Sequence, residues 1–207
     1  SMRPENGLDI QTTIDVDVQD FATRTLKKAL KKHRANYGCV LLMEVKTGEL
    51  EAMANLGKTS DGKYAPNYNY AVGSQGVTEP GSTFKLASMM AVLEEADLSV
   101  NDSINTGEGK YEFYEECVMT DDKYGGFGML PVQQVFEKSS NIGLSKLVFQ
   151  YFSHQPEKFI RYMNRFGLER PLGFQMIGAG TPYFSKPGSE NWSGCSLPWM
   201  SIGYEIK

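Results

Sequence analysis

This sequence predicts an α+β domain built on an antiparallel sheet. Two observations carry that reading: its few strands gather near the start as a hairpin, and several apolar-periodic stretches behind them have the length and spacing of helices.

The elements follow in order. DIQTTID (residues 9–15) alternates like a strand. From Asp17 onward Val18, Phe21, Ala22, Thr25, Leu26, Ala29 and Leu30 recur at helical spacing, and Gly38 is the expected stop. The short apolar run GCVLLMEV and the alternating ELEAMAN flank Lys46-Thr47-Gly48. Strand, tight turn, strand is the economical reading, because a glycine accepts the positive φ that a short hairpin loop requires. Residues 57–81 are rich in Gly, Asn, Ser and Tyr without periodicity and read as a long loop, a kind that is usually functional. Pro80 and Gly81 end it, and Ser82 begins a helix through Leu93 that is apolar almost all round and should be buried on most sides. Amphipathic helices are expected over residues 131–138, 142–152 and 156–166, the last stopping at Gly167. There is no internal repeat and no linker that divides two domains, so residues 1–207 read as one domain.

Composition narrows the function. With 41% hydrophobic and 22% charged residues the chain is globular rather than disordered. A net charge of −4 gives nucleic acid no basic face, and Lys27, Lys28, Lys31, Lys32, His33 and Arg34 read as the solvated side of a helix. No stretch reaches the roughly 18 apolar residues that span a bilayer. The Ser1-Met2 start leaves a removed signal or anchor open. The three cysteines, Cys39, Cys117 and Cys195, lie far apart and contain no C-x-x-C pair, so neither a metal site nor a dithiol motif is signalled. His33 and His154 sit in polar surroundings and fit solvent roles.

Chemistry concentrates at Ser82 and Lys85. Side chains three apart on a helix share a face, so a hydroxyl and an amine meet there. A serine becomes a nucleophile when a base takes its proton, and a lysine is that base once its pKa falls toward neutrality. Burial in an apolar helix and the positive end of the helix dipole both push it down, and the same helix end offers the Ser82 N–H to an oxyanion. Ser-x-x-Lys recurs by chance at Ser60 to Lys63, where Asp-Gly marks a turn. By pattern alone, Ser82 is equally a helix cap and Lys85 a solvated stem. Ser-x-Asn occurs at Ser99, Ser139 and Ser189. Ser139-Ser140-Asn141 is the one between two amphipathic helices, where it suits either a cleft or the capping of the following helix.

EPGSTFK (residues 79–85), KSSN (138–141), VKTGELEAMAN (45–55) and LPWMSIGYE (197–205) together resemble the transpeptidase domain of class B penicillin-binding proteins. The resemblance covers nearly the whole chain and implies the penicillin-binding protein/serine β-lactamase-like fold, an antiparallel sheet with a helical subdomain. It implies Ser82 as the acyl-forming nucleophile, Lys85 as its base, Ser139 as a proton relay and Asn141 as a holder of the substrate amide or of Lys85. It also implies cross-linking of peptidoglycan stem peptides at D-Ala-D-Ala, acylation by β-lactams, no cofactor, and a place on the extracytoplasmic side of a membrane. Cell-division membrane proteins would be partners and the full-length protein would be anchored. EPGST is closer to the division-type branch than to the elongation type.

In that family the catalytic Lys-Thr-Gly follows Ser-x-Asn, whereas Lys46-Thr47-Gly48 precedes Ser82 and lies in the predicted hairpin turn. It is a decoy. After Asn141 come Lys146, Lys158, Lys186 and Lys207, none of which begins such a triplet, and Pro187 unfits Lys186 for a central strand. The expectation is a domain whose C-terminal part is missing, with a bare sheet edge and exposed apolar surface. A serine β-lactamase or D,D-carboxypeptidase shares the opening motifs, and a penicillin-binding sensor or division scaffold is the non-enzymatic alternative.

Overall fold

The computed structural model describes residue 7, residues 9–173 and residues 178–207. They sort into two compact units: one runs through Val77 and takes in residues 178–180, and the other comprises residues 78–173 and 181–207.

The first unit is a helix on a sheet. Helix α1 (Val16–His33) covers an antiparallel sheet ordered β1 (Tyr37–Met43), β2 (Leu50–Lys58), β3 (Tyr64–Ala65). Ala22, Leu26 and Leu30 of α1 pack on Ala52, Ala54 and Leu56 of β2, and each leucine so buried contributes about 1.5–3 kcal/mol. The Asp15 carboxylate caps α1 by accepting from the Val18 N–H at 2.9 Å.

Two expectations fail here. Residues 9–15 form no strand: Thr13 donates to the Leu50 carbonyl and Asp15 N–H to that of Glu51, two point contacts rather than a ladder, before Asp15 turns into its cap. Gly38 does not stop the helix either. Arg34 does, in the left-handed conformation at φ 53°, with its N–H bonded back to Leu30. Gly38 lies within β1, where a Cβ would sit 3.1 Å from Leu30 and 3.3 Å from Leu26, so its absent side chain lets the helix approach.

The hairpin is as read from the sequence. Gly48 takes φ 76° and its N–H closes on the Glu44 carbonyl, leaving Lys46 and Thr47 exposed in the turn. Strand β1 ends the sheet on one side, with Tyr37, Leu41, Leu42 and Met43 exposed.

The second unit is mainly helical. Its elements are α2 (Lys85–Glu95), β4 (Ser103–Asn105), β5 (Lys110–Tyr114), β6 (Cys117–Thr120), β7 (Met129–Pro131), α3 (Val132–Glu137), α4 (Asn141–Phe152), α5 (Pro156–Arg165) and α6 (Ser196–Ser201). Strands β4 and β7 pair, as do β5 and β6, both antiparallel. Helix α4 is the axis, touching α2, α3, α5 and α6, with Leu144, Leu147, Val148 and Phe152 in the core. Trp192 and Trp199 pack against apolar clusters, as aromatic residues near a cleft usually do.

Helix α2 departs from expectation at its start and on one face. A 3-10 turn over Gly81–Phe84 precedes it, so the α-helix proper begins at Lys85 rather than Ser82. The tighter turn follows from Gly81, held at φ 55° with its N–H on the Gly203 carbonyl. Ala91 and Val92 are buried, but Leu86 and Met90 face out, so the helix buries one side only.

Candidate active site

Everything in the candidate site belongs to the second unit. Ser82 is exposed in the 3-10 turn, and the Lys85 N–H bonds to its carbonyl. In a 3-10 turn side chains three apart eclipse, so Ser82 and Lys85 leave the turn on the same side. Ser82 is not a helix cap; Thr83 donates to the Pro80 carbonyl instead.

Lys85 does not snorkel. It is 2% exposed, and its ammonium donates to the Ser139 carbonyl at 2.6 Å, to Ser139 Oγ at 3.0 Å and to Asn141 Oδ1 at 2.5 Å. Burial pushes its pKa down from 10.5 to about 8, against the pull of Asp121 and Asp122. Three acceptors satisfy the three donors of the charged form. The same set also suits a neutral amine, because Ser139 Oγ–H can rotate and donate to it. The site therefore tolerates Lys85 in either protonation state, as a base requires.

The Ser139-Ser140-Asn141 turn divides its labour. Ser139 adopts φ 53°, which aims both its carbonyl and its hydroxyl at Lys85. Ser140 is buried and caps α4, accepting from the Gly143 N–H at 2.9 Å. Asn141 bridges: its Oδ1 takes Lys85 while its Nδ2 donates to the Thr120 carbonyl at 2.8 Å. Asn141 thus holds Lys85, one of the two roles the family resemblance implies for it.

Asp121 was missed by sequence reading. Its carboxylate accepts from Ser140 Oγ at 2.9 Å and from the Ile142 N–H at 3.1 Å, so it pins the α4 N-terminus where a negative charge is favoured. Nothing in TDDK at fixed spacing from Ser140 announces this, because the contact arises from the β6 strand end crossing the α4 start. Glu79 and Gly203 were missed too. The Glu205 N–H donates to Glu79 Oε1 at 2.9 Å. A Cβ on Gly203, which has φ 91°, would meet the Gly81 carbonyl oxygen at 2.0 Å. The residue-197 to 205 segment thereby buttresses the turn that carries Ser82, and Ser88 Oγ donates to the Ser201 carbonyl one turn below.

The other motif matches stay apart from chemistry. Ser60 to Lys63 is an exposed turn closed by Thr59, Ser99 turns with Asp102, and Ser189 turns back on Lys186. His33 and His154 are exposed.

The family profile of the penicillin binding protein transpeptidase domain matches residues 38–204. Among curated proteins, the probable peptidoglycan D,D-transpeptidase PbpC of Pseudomonas aeruginosa is 28% identical over 206 residues, covering 98% of this chain and 35% of that protein. The peptidoglycan D,D-transpeptidase FtsI of Escherichia coli K12 is 27% identical, covering 94% of this chain and 32% of its own length. The chain thus spans about a third of the length of these relatives. Among solved structures, the transpeptidase domain of Burkholderia pseudomallei penicillin-binding protein 3 superposes with a TM-score of 0.77 at 28% identity, over 98% of this chain and 55% of that one. Penicillin-binding protein 3 of Mycobacterium tuberculosis complexed with ampicillin gives 0.76 at 26% identity, over 93% and 42%.

Proposed function

Because the chain belongs to the penicillin binding protein transpeptidase domain family, we propose that it forms an acyl-enzyme at Ser82 and thereby takes part in cross-linking peptidoglycan stem peptides. The observation that carries this reading is the exposed Ser82 one tight turn ahead of a buried Lys85 whose amine is held by Ser139 and Asn141.

The neutral amine of Lys85 takes the Ser82 Oγ proton as Oγ attacks the carbonyl of a terminal D-Ala-D-Ala bond. The Ser82 backbone N–H, at the open end of its turn, faces the developing oxyanion. Ser139 Oγ, already bonded to Lys85, passes the proton on to the departing D-alanine amine. Asn141 keeps Lys85 aimed throughout, anchored to the backbone by Thr120. An amine of a second stem peptide then attacks the ester and releases Ser82. A β-lactam ring opened by Ser82 leaves no departing group, so its ester persists. The division-type branch, an extracytoplasmic site, membrane anchoring and division-protein partners accompany this reading as expectations of the family resemblance.

A hydrolytic β-lactamase reading needs a carboxylate free to activate water. Asp121, beside Lys85, already holds Ser140 and the α4 N-terminus. Rapid turnover of a chromogenic cephalosporin would favour hydrolysis. A stable adduct without transpeptidation, coupled to a partner response, would favour a sensor.

The test is incubation with a fluorescent penicillin, followed by intact mass and peptide maps, on this chain and on the protein at the length of its curated relatives. One adduct on Ser82, lost in Ser82→Ala and kept in Ser60→Ala, is the expected result. Labelling elsewhere, or none in the longer protein, overturns the proposal.

A further inference from the structure

Cys117 and Cys195 are far apart in sequence, yet the second unit brings them together. Cys117 opens β6 and is 1% exposed; Cys195 stands half-buried at the N-terminal end of α6. Their segments meet on grounds independent of the thiols. Gly194 lies so close to Tyr114 that a Cβ there would be 2.9 Å from its ring, and Tyr114 is the cross-strand partner of Cys117. At that junction burial, the Cys195 thiol and the Glu205 charge all act to raise the Cys117 pKa, and both cysteines are free. Glu205 Oε2 is buried without a hydrogen-bond partner among the described residues.

We propose that Cys117 and Cys195 are a disulfide-forming pair, oxidised by exchange with a low-molecular-weight disulfide or a dithiol–disulfide carrier, and that the bond staples β6 to the start of α6. The half-exposed Cys195 is the sulfur a reagent reaches first. Its thiolate attacks one sulfur of the carrier disulfide, forms a mixed disulfide and expels the other carrier sulfur as a thiolate. The Cys117 sulfur then attacks Cys195 Sγ, and the expelled second carrier sulfur takes the proton that Cys117 loses. The two protein thiols lose two electrons and two protons in all, and the carrier leaves as the dithiol. Burial first, then Cys195 and the Glu205 charge, push the Cys117 thiol up to about 12, so it stays protonated and Cys195 is the thiol that reacts first.

The place of the bond gives it consequence. Strand β6 ends at Thr120, whose carbonyl fixes Asn141, and runs on into Asp121, which pins α4. Helix α6 accepts Ser88 of α2 through Ser201, and the residues after it meet Gly81 and Glu79. A bond between the two segments links both supports of the candidate site. The exported location that goes with the acyl-transfer reading is where disulfide carriers operate, but the redox readouts below do not depend on acylation.

The experiment equilibrates the purified chain with oxidised glutathione or with dithiothreitol, alkylates the remaining thiols, and records non-reduced peptide maps and thermal melts. A cross-linked peptide pair containing Cys117 and Cys195, with Cys39 alkylated, and a melting point raised by about 5–10 °C is the expected result. Both effects vanish in Cys195→Ser, a half-exposed position that should still fold, and persist in Cys39→Ser. Two alkylated thiols after equilibration, a glutathione adduct left standing on Cys195, or a link that lowers the melting point would each overturn the proposal. Loss of Ser82 acylation in both redox forms would count against the proposed function and leave the disulfide standing.

Discussion

The pH dependence of acylation is the sharpest consequence of the buried Lys85. An amine with a pKa near 8 is about 9% neutral at pH 7, whereas an ordinary lysine at 10.5 is about 0.03% neutral, so burial raises the working fraction of base about 300-fold. The sign follows from which form is needed. The acylation rate should climb about tenfold per pH unit below pH 7.5, bend near 8 and level off above it, a rise of about 90-fold from pH 6 to 9. An unburied lysine would give about 1,000-fold over the same range with no plateau. The assay is stopped-flow or quenched acylation by a fluorescent penicillin from pH 5.5 to 9.5, with Ser82→Ala as the blank. Because Asp122 is exposed and holds the Lys85 pKa up, Asp122→Asn should move the bend to lower pH, and added salt should move the wild-type bend the same way by screening. A flat profile, or a rise that does not level off by pH 9.5, would refute Lys85 as the base in this environment.

Three further outcomes follow from the geometry. Asp121→Ala leaves the Ser140 hydroxyl and the Ile142 N–H without their acceptor and removes a charge from the α4 N-terminus, so urea melts should show a loss of about 1–3 kcal/mol, with Asp121→Asn retaining part of it. Gly203→Ala drives a methyl into the Gly81 carbonyl and strains a positive φ; a destabilisation of about 2 kcal/mol or more in melts, together with slower labelling of Ser82, is expected, and wild-type behaviour on both would deny the buttress. Lys46→Ala, in the exposed hairpin turn, should leave labelling kinetics unchanged, and a tenfold loss there would give the early Lys-Thr-Gly a catalytic part it lacks in this reading.

Local sequence determined a good deal of this protein. The hairpin around Gly48 and the three amphipathic helices behind Pro131 depend on residues within a few positions of one another, where spacing and φ preference act directly. Where local reading fails, the cause is not local: Gly38 reads as a helix breaker, but its real constraint is the Leu26 and Leu30 side chains packed above it. Tertiary structure decided what contact across long separations creates. It split Ser139 and Ser140 between base and cap, set Asp121 under α4, laid Gly203 on Gly81 and brought the segments of Cys117 and Cys195 together. Each of these is a meeting of two elements whose approach depends on how the α4-centred core packs, and burial by that same core, rather than the Ser-x-x-Lys spacing, is what lowers the Lys85 pKa to the working range of a base.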